Sequence, residues 1–335
     1  MDFCQNCFNC EFLSTHIEVK SDREGNCAQC GCEGVFLISA SNLSDLFTPL
    51  AELYEPTGEN GTPLLDLIKE DWKLFVDVPA DRICLLLNEI SGEQSLESFK
   101  PIIDNSDLFD WVAFKEELKH ENRYFPNSFP DNQDLSNLLS YLSIESNLDL
   151  MHLYRARVHV DSVNAYTIEK MGAPPNLRAS SGRANPLGIA YLYVASTLNT
   201  ALSEVRPHTG DFVTIADFQV RDSLKLVDLR DPRQSIVPFI YSEFELRNIY
   251  SGLNLLEILG LELTKPISQH KAQLEYLSSQ YLCEFIKSQG YDGVLYKSSL
   301  GDGDNYAIFD ESNLTGIGTS IVEVTEVEIN HTALN

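Results

Sequence analysis

Read for the spacing of apolar and polar positions, the chain changes texture near residue 150. Between Leu43 and Leu148 apolar residues recur every three or four positions. That spacing predicts helices over Leu43–Tyr54, Pro63–Phe75, Arg82–Ile90, Trp111–His120 and Leu135–Leu142, parted by Gly, Pro and Asn-rich breaks. From Leu153 the pattern becomes mixed. Leu153–Val160 alternates, which places Arg155 and Arg157 on one face of a strand and His152 with the apolar positions on the other. Ile189–Ala195 has strand character, with Tyr191 and Tyr193 on one face. Ser196–Arg206 reads as a short helix, capped by Ser196 or Thr197 and stopped by Pro207. Phe212–Val220 and Leu224–Leu229 follow as strands, Ile236–Leu263 is mainly helical, and Gln269–Gln289 is an amphipathic helix ended at Gly290. Tyr291–Tyr296 and Tyr306–Phe309 read as buried strands around the loop Lys297–Asn305, with Ile321–Ile329 as a final edge strand.

Length supports the same division, since 335 residues exceed most single cores. The chain is 43% hydrophobic, but no run of about 18 apolar residues is present, so no membrane span is expected. The opening MDFCQNCFNCEF has neither the basic nor the apolar region of a secretory signal, and a cytoplasmic protein is the expectation. The net charge of −26 argues against a protein that coats nucleic acid, which needs a basic face. The acid is concentrated early: residues 1–150 hold 28 Asp+Glu against 9 Lys+Arg, whereas residues 151–335 hold 22 against 15. In the second half Arg155, Arg157, Arg178, Arg183, Arg206, Arg221, Arg230 and Arg233 are interrupted by only Lys170 and Lys225. Arginine preferred over lysine suits bidentate recognition of phosphate or carboxylate, although scattered ion pairs account for most such residues.

Six of the eight cysteines lie in the first 40 residues. Cys4-x2-Cys7, followed after nineteen residues by Cys27-x2-Cys30, has the spacing of a zinc ribbon, in which two knuckles close on one structural ion. Gly25 and Gly31 stand where knuckles turn, and Cys10, Cys32 or His16 are alternative ligands. The expected organisation is a zinc-ribbon-like knuckle over 1–42, an acidic helical domain over 43–150 and a mixed α/β domain over 151–335, an α+β protein overall. His120 and Arg123 together invite a nuclease reading, but a polar pair at the end of an acidic helix is more simply a capping feature.

The candidate chemistry gathers around Ser181–Pro207. Gly182 and Pro186 punctuate a turn around Arg183, and the strand and helix after it bring Tyr193 and Glu204 close by. One guanidinium, one aromatic face and one carboxylate suit a substrate with phosphates, a flat base and a centre that becomes cationic. Four pieces occur in order: Tyr154-Arg155, Gly182-Arg183-Ala184-Asn185-Pro186, Tyr193 to Glu204 with its Glu-Val-Arg-Pro ending, and Asp292-Gly293 to Ser298 followed by Gly303-Asp304-Asn305. As a set over about Leu153–Asp310 they resemble the RES domain family. The first half is similar to the HEPN-type region attached to longer RES proteins, in its Cys-x2-Cys pair, Asp71-Trp72, and Lys119-His120 with Arg123. HEPN nucleases place the arginine before the histidine; here His120 precedes Arg123, so the resemblance does not extend to ribonuclease activity.

The RES resemblance implies a fold related to the ADP-ribosyltransferases and an enzyme that consumes NAD+ by hydrolysis or phosphorolysis, or transfers ADP-ribose to a protein. Members of the family are often toxins held by a cognate antitoxin. By position, catalytic roles fall on Arg155, Glu204 and Ser298. Substrate-binding roles fall on Arg183 and Tyr193, joined by Asn185, Arg157, Tyr191 and Asn305. Arg155 and Arg183 would clamp the pyrophosphate, Tyr193 would face the nicotinamide, and Glu204 would stabilise the oxocarbenium-like ribose. A binding module that holds NAD+ or ADP-ribose uncleaved is the alternative from outside the enzymes. The expected partners are NAD+, structural Zn2+, and an antitoxin or regulatory protein, with a homo-oligomer left open.

Overall fold

A computed structural model describes residues 1–21, 23–57, 61–75, 78–91, 98–103, 110–129, 131–146, 151–159, 164–265 and 272–328. Along the chain the elements are β1 (Asp2–Cys4), α1 (Glu11–Lys20), β2 (Arg23–Gly25), β3 (Val35–Ser39), α2 (Ser44–Ala51), β4 (Tyr54–Pro56), β5 (Thr62–Pro63), α3 (Leu64–Trp72), α4 (Ala80–Ser91) and β6 (Ser98–Pro101). There follow α5 (Trp111–His120), α6 (Asn132–Ser140), β7 (Ser143–Ser146), β8 (His152–His159), β9 (Leu192–Ala195), α7 (Leu198–Glu204), β10 (Phe212–Val220) and β11 (Leu224–Asp228). Last come α8 (Pro232–Ser235), α9 (Glu243–Thr264), α10 (Ala272–Glu275), α11 (Leu277–Ser288), β12 (Gly293–Lys297), β13 (Asp304–Ile308) and β14 (Leu314–Glu323).

Packing divides these into two compact units, 1–108 with 231–254, and 109–230 with 255–335. Neither the expected cut at 42/43 nor that at 150/151 coincides with these limits. α5 packs on α11 through Phe114 and Tyr281, whose ring centroids lie 5.5 Å apart, and β7 joins the large sheet, so both belong to the second unit. The segment 231–254 belongs to the first through Asp71, a buried carboxylate that accepts from Tyr54 Oη and Tyr250 Oη, each at 2.9 Å, and from Arg233 Nη1 at 2.9 Å. The first unit also holds two small sheets that the helical pattern did not predict, ordered β1-β3-β2 and β4-β6-β5. Their strands are two to five residues long, too short for alternation to register.

The second unit is built on an eight-stranded mixed sheet ordered β14-β10-β8-β9-β13-β12-β11-β7. Only β11 and β12 run parallel; the other neighbouring pairs are antiparallel. Both faces are covered where β8 lies. Leu153 belongs to one apolar cluster and Ala156 to another, so Leu153, on the face of Arg155, is also core. This corrects the one-sided reading of β8. β14 begins seven residues before its predicted start, and its register slips opposite Asp217 and Phe218, leaving Ile317 bulged. A bulge on an edge strand discourages pairing with another chain. The predicted helix over 269–289 is broken in two at Tyr276, and its first residues fall outside the described ones.

One irregularity of the sheet opens the site. β8 pairs with β10 from His152 to His159, and β9 pairs with β13 along its whole length, yet β8 and β9 meet only at Tyr154 and Ala195. The two strands diverge from that point. α7 closes one side; Thr197 caps it, its Oγ1 accepting from the Thr200 N–H at 3.1 Å, and it stops where Arg206 turns left-handed at φ 47° before Pro207.

Candidate functional site

Where β8 and β9 part, the second unit contains a cavity of about 380 Å³. Arg155, Arg183, Tyr193, Glu204 and Asn305, read from four separate stretches of sequence, all line it. Arg155 is delivered by β8, Tyr193 by β9, Glu204 by the last turn of α7 and Asn305 by β13. The walls also include Tyr154, Tyr276 and Tyr296, which the sequence reading did not select. Tyr154 adjoins Arg155 in the motif and could have been found there. Tyr276 lies in what reads as an uninterrupted helix and gives no such signal.

Two guanidinium groups and one carboxylate line the cavity, and the two arginines are held differently. Arg155 Nη1 is shielded from solvent and has no hydrogen-bond partner, and burial, then the neighbouring Arg157, pushes the guanidinium down to about 10. It remains protonated at neutral pH. Arg183 is held by main chain, its Nη1 donating to the carbonyl of Leu263 at 3.0 Å and also to that of Lys265, at the end of α9. Ser279 Oγ donates to the carbonyl of Arg183 at 2.6 Å, and Gln280 Nε2 donates to the carbonyl of Gly182 at 2.7 Å and to Ser181 Oγ at 2.8 Å. Tyr193 offers only its ring, because its hydroxyl donates to Asn185 Oδ1 at 2.7 Å and accepts from the Ala184 N–H at 3.1 Å. Burial raises that phenol well above its ordinary range, so it stays neutral. A β-carbon on Gly182 would collide with Asn185 Oδ1 and stand 2.7 Å from Tyr193 Oη, so one of these hydrogen-bonded side chains would have to shift.

Glu204 is the carboxylate of the cavity. Its Oε1 accepts from Ser298 Oγ at 2.7 Å and from Asn305 Nδ2 at 2.7 Å. Ser298 stands behind Glu204 and does not line the cavity. Three further sequence-selected residues lie off the cavity as well. Arg157 donates to the carbonyl of Lys170 at 3.1 Å and sits over the Tyr166 ring at 5.0 Å. Tyr191 is buried against Phe309, with centroids 4.8 Å apart. Asn185 is buried and spends Nδ2 on the carbonyls of Ser180, Pro186 and Ile189, at 2.9, 3.1 and 2.8 Å, so it shapes the turn. Arg123 Nε donates to the carbonyl of Leu118 at 3.2 Å, which closes the end of α5, the capping role expected of a polar pair there.

The first unit holds a separate cluster. Cys4, Cys7, Cys27 and Cys30 place their sulfurs within 4.8 Å of one another, with 3.8 Å between Cys4 and Cys7, 3.4 Å between Cys4 and Cys30, and 3.6 Å between Cys7 and Cys27. These distances exceed a disulfide, and four sulfurs at about 2.3 Å from a tetrahedral ion stand roughly 3.8 Å apart. The donor set therefore fits a metal ion. Cys10, Cys32 and His16 lie outside the set; His16 stacks near Phe12 instead. Gly31 turns the second knuckle at φ 80°, whereas Gly25 lies in β2.

Among the described residues no helix is long and apolar enough to cross a membrane. The profile of the RES domain matches residues 152–324, just over half of the chain. No curated protein matches. Among solved structures, that of the M. tuberculosis MbcT-MbcA toxin-antitoxin complex is similar at 16% identity and a TM-score of 0.33, over 56% of this chain and 92% of that one.

Proposed function

The chain belongs to the RES domain family, and on that premise we propose that its second unit degrades NAD+ by cleaving the bond between nicotinamide and ribose. The observation that carries this reading is a carboxylate, two arginines and an aromatic ring converging on one cavity. As the glycosidic C–N bond breaks, its electron pair goes to the pyridinium nitrogen and positive charge develops on the ribose. Glu204 stabilises that charge, an effect enlarged where water is excluded. Arg155 and Arg183 hold the pyrophosphate, and the Tyr193 ring packs on the nicotinamide. Water or inorganic phosphate then forms the new C–O bond at the ribose carbon and gives up a proton.

Loss of NAD+ harms the cell in which it occurs, so the protein is read as a toxin or defence effector with a cognate antitoxin or regulatory protein. Zn2+ is the ion assigned to Cys4, Cys7, Cys27 and Cys30; four protein ligands leave no open position, so its role is structural. The knuckle and the acidic helices are read as accessory to the catalytic domain. The test is nicotinamide release from NAD+ by the purified chain, with and without phosphate, beside Glu204→Gln. Release without phosphate identifies a hydrolase, and release only with it a phosphorylase. Glu204→Gln is expected to lose at least ~100-fold in rate while folded. Absence of release in both conditions removes this reading in favour of a transferase or a sensor.

A further inference from the structure

We propose that Ser298 serves the reaction only through Glu204, holding with Asn305 one oxygen of its carboxylate so that the other becomes the working atom. The inference rests on the NAD+-cleaving reading above. Glu204 Oε1 receives two hydrogen bonds of 2.7 Å, from Ser298 Oγ and Asn305 Nδ2. Among the described residues Oε2 has no protein partner, while Glu204 faces the cavity. Ser298 is saturated. Its oxygen accepts from the Leu300 N–H and the Gly301 N–H, both at 3.1 Å, so its single proton is committed to Glu204 and both lone pairs are occupied. A hydroxyl in that state has no electron pair with which to attack the ribose and no proton to give a leaving group. Ser298 is thus a positioning residue.

The support continues behind it. The loop bearing Ser298 is fastened to the helix bearing Glu204: the Gly303 N–H donates to Thr200 Oγ1 at 2.9 Å, the Asp304 N–H donates to Ser196 Oγ at 2.8 Å, and Thr197 Oγ1 donates to Thr200 Oγ1 at 2.8 Å. Thr200 is 1% exposed and lies one turn before Glu204 on α7. A β-carbon on Gly301 would meet Thr200 Oγ1 at 2.8 Å, and one on Gly303 would meet Ser196 Oγ and Thr200 Oγ1, both at 2.6 Å. Helix and loop are therefore tied together, and Oε1 is gripped from the loop by Ser298 and from β13 by Asn305.

The experiment compares the full chain with Ser298→Ala, Ser298→Thr, Asn305→Leu, Glu204→Gln and the pair Glu204→Gln/Ser298→Ala. For Ser298→Ala and Asn305→Leu we expect kcat to fall ~10- to 100-fold with KM within about threefold, as for other supporting residues, and Ser298→Thr to recover most of the loss. In the Glu204→Gln background, Ser298→Ala should leave the dissociation constant for NAD+ unchanged, because its effect is routed through the missing carboxylate. A normal kcat in Ser298→Ala, or the same loss of NAD+ affinity with and without Glu204, overturns the proposal. Crystal structures of the wild type and Ser298→Ala provide a readout free of turnover: Glu204 should lose its single orientation, and an unchanged one overturns the proposal. If the wild type releases no nicotinamide, the functional reading alone fails and the crystallographic comparison still decides this one.

Discussion

Arg155 carries a positive charge to a place where the protein gives its Nη1 nothing to bond. A buried donor left unsatisfied costs about 1–3 kcal/mol, and more when charged. Replacement by an apolar side chain of similar length removes that cost, so Arg155→Met is expected to melt a few degrees higher than wild type without ligand. ADP-ribose should raise the melting temperature of the wild type through the anion that Arg155 lacks, and should do so much less in Arg155→Met. Differential scanning fluorimetry reads both effects, and equal ligand shifts in the two proteins would separate Arg155 from anion binding. Gly182 sets the opposite constraint. Gly182→Ala drives a methyl group between Asn185 and the Tyr193 hydroxyl, and is expected to displace Arg183 and raise the KM for NAD+ ~10-fold or more, a change steady-state kinetics would detect.

Among the elements, α11 and α9 are what present Arg183. Gln280 is 6% exposed and donates twice into the turn at Ser181–Gly182, while the last carbonyls of α9 take the guanidinium, a natural acceptor site for a cation. Gln280→Leu is therefore expected to raise KM several-fold with kcat nearly unchanged, and an unaltered KM would show that the turn holds without it. This level is also where the sequence was least legible. α5 and β10 were readable to the residue, because their periods are strong and Asp110 and Pro207 punctuate nearby. Arg155, Arg183, Tyr193 and Glu204 were readable because short ordered motifs carry them. Tyr276, Ser279 and Gln280 were not, since their roles arise from a helix break and from neighbours almost 100 positions away. Tyr191 and Asn185 lie in the same Ser181–Pro207 stretch but not in the cavity wall: proximity in sequence does not say which way a side chain turns out of a loop.

For the whole molecule, the cysteine cluster belongs to the first unit and the cavity to the second. Small folds closed by a tetrathiolate draw their stability from the ion. Chelation is accordingly expected to speed hydrogen exchange in residues 1–40 before it affects the sheet of the second unit, and uniform loss of protection would contradict a local structural role. The chain passes between the units three times, and α9 contributes its first half to one and its second half to the other. Inheritance follows from that path. A recombination event that moved only residues 152–324 to another protein would carry Phe239, Tyr250 and Arg233 without Phe12, Phe47, Tyr54 and Asp71, their partners in the first unit. The transplanted piece would arrive with Phe239 and Tyr250 stripped of their aromatic partners and Arg233 without the Asp71 carboxylate. Moving the large sheet together with segment 231–254 in its native packing therefore requires moving residues 1–108 as well.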